Sequence, residues 1–66
     1  MKKLQLGMVV DDDGEKYMVL SHKGDHIKVL NNSGKETFLS ESVVKRSVVL
    51  EGADAMAVVK EVFYGK

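Results

Sequence analysis

For about fifty residues the chain sets short apolar runs between polar, glycine-containing breaks, and then its period changes. Leu4, Leu6, Met8 and Val10 recur at every second position, the spacing of a strand with one buried face. After Asp11-Asp12-Asp13-Gly14-Glu15, residues 16–21 are predicted as a second strand. After Lys23-Gly24-Asp25, residues 26–30 are predicted as a third. Asn31-Asn32-Ser33-Gly34 is the strongest turn signal, because Asn and Gly accept positive φ at little cost. A short fourth strand over 36–39 follows. Four short strands joined by tight turns predict an antiparallel meander curling into a small barrel. Ser40-Glu41-Ser42 interrupts the pattern, and a serine there can cap a helical turn. The β-branched valines of 43–50 favour a fifth strand, with a capped helix over 40–46 as the alternative.

At Glu51-Gly52 the grammar switches. Residues 53–64 contain no turn residue, and Met56, Val59 and Phe63 fall at helical spacing beside Ala55, Val58 and Val62. Asp54 is the expected N-cap and Gly65 the expected terminator. A helix of about three turns is marginal alone and must pack on something. The strands supply the surface: Val9-Val10, Met18-Val19-Leu20 and Val29-Leu30 are apolar at consecutive positions, so both faces need cover. The expected organisation is one domain over residues 1–66, with a β-barrel over 1–50 and a C-terminal helix over 53–64 packed on it.

Composition narrows the function. Sixty-six residues bury only about 60% of their unfolded surface, so the core is small and stability should be roughly 3–10 kcal/mol. There is no cysteine, which excludes disulfides and thiolate metal sites and fits a reducing, cytoplasmic setting. Ten basic and ten acidic side chains balance, so the basic footprint of a typical nucleic-acid binder is missing. The opening Met1-Lys2-Lys3 is not followed by the long apolar core of a signal peptide, and no apolar run is long enough to span a membrane. The expectation is a soluble, complete small gene product.

The order Gly7, acidic turn, Tyr17-x-Val19, Gly24-Asp25-x-Ile27-x-Val29, Gly34, Leu39 and Ser-x-x-Val44 resembles the small SH3-like barrels, the group that includes Tudor and KOW modules. The resemblance covers residues 4–50 and implies a five-stranded barrel that binds proteins or nucleic acids rather than a catalyst. The subfamily patterns depart from this chain. A Tudor-type cage for a methylated cation needs several aromatics, and only Tyr17 and Phe38 lie in the barrel segment. The stretch KGDHIKVL echoes KOW but lacks its glycine-rich continuation after Leu30.

The acidic stretch carries the leading functional expectation. As a calcium loop it fails: with Gly14 as the turn glycine, Val9 and Leu20 stand where the first and last oxygens belong. As a hairpin turn, Asp-Gly accounts for Gly14 and one or two aspartates, leaving a surplus of adjacent negative charge. Asp11, Asp12, Asp13, Glu15 and Tyr17 are therefore the expected contact residues for a protein partner. This makes the chain a non-enzymatic protein–protein interaction module of the kind small phage or bacterial regulators represent. The alternative is weak nucleic-acid binding by a stripe of Lys28, Lys35, Lys45 and Arg46. A homo-oligomer through Val58, Val62 and Phe63 is a further alternative. His22 and His26 flank Lys23-Gly24-Asp25; in a tight hairpin their rings can face each other, but with only Asp25 near as a third ligand the expectation is two solvated histidines beside a turn, not a metal site. No cofactor is expected. No Ser-His-acid grouping or phosphate-cradling glycine loop is present, so catalysis is not expected either.

Overall fold

The computed structural model describes residues 3–64. Its strands are β1 (Val9–Asp12), β2 (Glu15–Lys23), β3 (His26–Asn31), β4 (Glu36–Leu39) and β5 (Val48–Leu50). They form one antiparallel sheet in the order β4-β3-β2-β1-β5, so the protein is mainly β. The first four strands are the expected meander. The last returns to pair outside the first, setting Val9 opposite Leu50 and Val10 opposite Val49. The sheet is open: its two edges, β4 and β5, are not paired with each other.

Three local readings are corrected. The apolar alternation from Leu4 forms no strand before Val9. Gly7, at φ 94°, bends the chain there. Its N–H donates to the Val19 carbonyl (3.1 Å) while Val19 N–H donates to the Met8 carbonyl (2.8 Å), so two residues oppose one as in a glycine bulge. Leu4 reaches the core from a loop, and Leu6 is 73% exposed.

Residues 43–50 are not one strand, and the alternative of a capped helix over 40–46 holds. Helix α1 (Glu41–Arg46) takes the first half. Ser40 is extended at φ −86°, and its hydroxyl accepts from Val43 N–H; Glu41 opens the helix while Lys45 and Arg46 close it, the order the helix dipole favours. That local chemistry, with burial of Val44, outweighs the β preference of the valines.

The C-terminal helix begins earlier than predicted. Helix α2 (Gly52–Val58) runs directly into a π-helical segment (Val59–Phe63), closed by Tyr64 N–H donating to the Val59 carbonyl at 3.1 Å. Asp54 lies in the first turn, and Glu51 holds the cap position. Gly65, the expected terminator, lies outside the described residues.

Both faces of the sheet's central strands are covered, which answers the consecutive apolar positions. Val10, Val19, Ile27 and Val29 cluster on one face under Leu4 and Val44 of α1. Val9 and Met18 cluster on the other under Ala55 of α2 and Val59 of the π segment.

Candidate functional site

The acidic stretch is the tip of the β1–β2 hairpin. Asp12 pairs with Glu15, leaving Asp13-Gly14 as a two-residue turn with φ of 52° and 93°. Positive φ at both positions is the type I′ signature, matched to the twist of the strands. Aspartate is among the few non-glycine residues that tolerate this region, which accounts for Asp13. Asp11 accepts the Gly14 N–H at 3.0 Å and faces Lys16 Nζ at 3.0 Å. Hydrogen bonding from Lys16, then from the Gly14 N–H, holds its carboxyl below the usual aspartate range.

Asp12, one residue on, projects from the opposite face. There Arg46 of α1 reaches it with Nε and Nη2, both at 3.4 Å. The three aspartates therefore have three jobs: turn clasp, tether to α1, and turn residue. Asp13 and Glu15 are exposed, and neither has an ion-pair partner among the described residues. The tip, Arg46 and the exposed Val48 border an open concavity. Tyr17 is not part of it: the ring is half-buried and packs on the Val10–Val19 cluster.

The four cations of the alternative stripe are not brought together on one surface. Ile27 and Val29 point to the α1 face, so Lys28 between them projects to the α2 face, where Nζ meets Glu36 at 2.8 Å. Arg46 meets Asp12 on the other face. Lys35 sits in the β3–β4 loop and Lys45 on α1, both exposed.

The histidines are also separated. His22 stands opposite Ile27 and His26 opposite Lys23, which places them on opposite faces. The rings do not face each other, and His22 is half-buried and hydrogen-bonded. Leu4 N–H donates to His22 Nδ1 at 2.8 Å, and His22 Nε2–H donates to the Gly24 carbonyl at 3.1 Å, which fixes the ring as the neutral Nε2–H tautomer. His22 thus clamps the N-terminal segment to the β2–β3 turn, a role that no local signal in the sequence marks, since its partner is 18 positions away. His26 is exposed, with its ring edge-on to Phe38 at 6.1 Å.

Of the residues expected at an oligomer surface, Val58 and Phe63 pack on the chain's own Val9–Met18 cluster, and Val62 is half-buried. Among the described residues no helix is long and apolar enough to cross a membrane. Comparison with protein-family models, curated proteins and solved structures finds no match to this chain.

Proposed function

We propose that this chain is a small SH3-like barrel left open between β4 and β5, acting as a non-enzymatic protein–protein interaction module, of the kind phage and bacterial regulators use, with the acidic hairpin tip as its contact surface. The fold reading is supported by the return of β5 beside β1, the pairing a meander needs to curl, and by the helical turn between β4 and β5. The functional reading rests on one observation. After internal pairing has neutralised Asp11 and Asp12, Asp13 and Glu15 remain without an ion-pair partner among the described residues, on a type I′ turn whose concavity Val48 also lines. Two unpaired carboxylates at a hairpin tip, bordering a concavity that Val48 also lines, suit a basic surface on a folded partner, where charge sets orientation and on-rate. Tyr17 supports the hairpin from beneath.

The test is affinity capture from a host lysate, comparing the wild-type protein with Asp13→Asn/Glu15→Gln. Asparagine keeps the turn and glutamine keeps the strand, so the fold is retained while the charge is lost. The captured partner should drop out with the double variant, and an unchanged partner set would remove the tip from the reading. Nucleic-acid binding has less support, because Lys28 and Arg46 are engaged with carboxylates on opposite faces.

A further inference from the structure

The sheet has two unpaired edges, and they are not equivalent. β5 is three residues long and lies between the ends of α1 and α2. β4 is one residue longer, begins after an exposed loop, and among the described residues pairs with no strand except β3. Edge strands usually carry a device against pairing: shortness, a charge, a proline or a bulge. β4 reads Glu36-Thr37-Phe38-Leu39: it is short, but it has no proline, no lysine and no bulge. Its one charge is drawn back onto its own sheet by Lys28.

The register shows which backbone groups are free. Asn31 N–H donates to the Lys35 carbonyl, so that pair is hydrogen-bonded. Antiparallel pairs alternate, so Thr37 and Leu39 also bond to β3, while Glu36 and Phe38 turn their N–H and C=O groups outward. Ser40 follows in extended conformation with its N–H turned outward in the same sense, while its carbonyl accepts the Val44 N–H of α1 at 3.2 Å. The most exposed aromatic of the sheet, Phe38, is therefore centred on the open edge, 63% accessible.

We propose that β4 is the pairing edge of a symmetric homodimer, in which two copies join antiparallel about Phe38 and fuse their sheets into one. The self-complementarity of the edge identifies the occupant. With Phe38 opposite Phe38 of the second copy, outward N–H and C=O groups meet in a hydrogen-bonded pair and the two rings cover each other on the α2 face. The same register sets Glu36 opposite Ser40 of the second copy, whose N–H points toward it. It also sets Lys35 opposite Glu41 of the second copy, twice by symmetry. Neither Lys35 nor Glu41 has an ion-pair partner among the described residues of its own chain. An edge that supplies its own aromatic, its own hydrogen-bond pattern and opposite charges at matching positions fits a second copy of itself. The two acidic tips would then lie at opposite ends of the joined sheet.

Sedimentation equilibrium over a concentration series reaching the millimolar range tests this. A species of about twice the 7.3 kDa chain is expected at the upper end. Phe38→Pro removes an outward N–H without touching a bond to β3, and should weaken association about tenfold or more. Lys35→Glu and Glu41→Lys should each weaken it, and the double exchange should restore it. Circular dichroism of each variant reports whether the monomer fold is kept. A monomer at every concentration, a dimer indifferent to Phe38→Pro, or a double exchange that fails to restore association would each overturn the proposal. Capture of an unrelated protein on this edge by a chain that stays monomeric would do the same.

Discussion

Asp11, Asp12 and Asp13 are adjacent and chemically identical, yet each is placed by a different neighbour. The turn itself was legible, because Asp-Gly between apolar runs specifies a tight hairpin by local conformational preference alone. The fates of Asp11 and Asp12 were not. One is decided by cross-strand register with Lys16, the other by an arginine 34 residues away. Asp11 makes a pH prediction. Lys16 and the Gly14 N–H stabilise its ionised form, so its folded value lies below the ordinary ~3.9. A depressed carboxylate stabilises the fold fully above its unfolded value, and that contribution is lost as pH falls through the folded one. The acid limb of the stability curve, below pH ~4, should therefore flatten in Asp11→Asn, which keeps an oxygen for Gly14 but no charge for Lys16. Denaturant melts between neutral pH and the acid limb check this. An identical acid limb in wild type and variant would assign the clasp no electrostatic role.

Elements were legible where local chemistry and long-range packing agree. The β3 and β4 boundaries follow their turns, and the C-terminal helix follows its 3.6-residue period as far as Val58, beyond which it widens into the π segment. They were misread where the two compete. Residues 43–50 have strand-forming side chains, but Ser40 offers a capping hydroxyl and Val44 a buried contact, and these divide the segment into α1 and β5. Leu4, Leu6, Met8 and Val10 alternate as a strand would, but the bulge at Gly7 rather than a pleat sets their directions. If the cap decides the first case, Ser40→Ala should cost about 1 kcal/mol and Ser40→Gly only a few tenths. The Val43 N–H contact is long, at 3.4 Å, which places the alanine cost toward the lower end of the range. Urea unfolding of the two variants distinguishes the cap from simple loss of packing. Equal losses for both would mean that the hydroxyl is not what starts α1.

At the scale of the whole molecule, the two apolar clusters lie back to back on the same three strands. Val9 and Val10 are neighbours in sequence, both fully buried, and belong to different clusters. The need for two covers was legible from those consecutive apolar positions. Which segment covers which face was not, because α1 and the bulged N-terminus were not foreseen as one of the lids. Since the backbone of β1, β2 and β3 is common to both clusters, neither can melt without exposing the other's strands. Val59→Ala removes two methyl-sized groups from beneath the π segment and should cost about 2 kcal/mol, and Val10→Ala on the opposite face a similar amount. Each is a large share of the roughly 3–10 kcal/mol available to a chain of this length. The two variants should lower one shared transition, with helix loss by circular dichroism and core loss by methyl NMR coinciding on heating. Separate transitions in Val59→Ala, with the C-terminal helix lost first and the sheet intact, would show instead that the helix is a detachable lid. The β2–β3–β4 meander would then have to stand on the cluster beneath α1 alone.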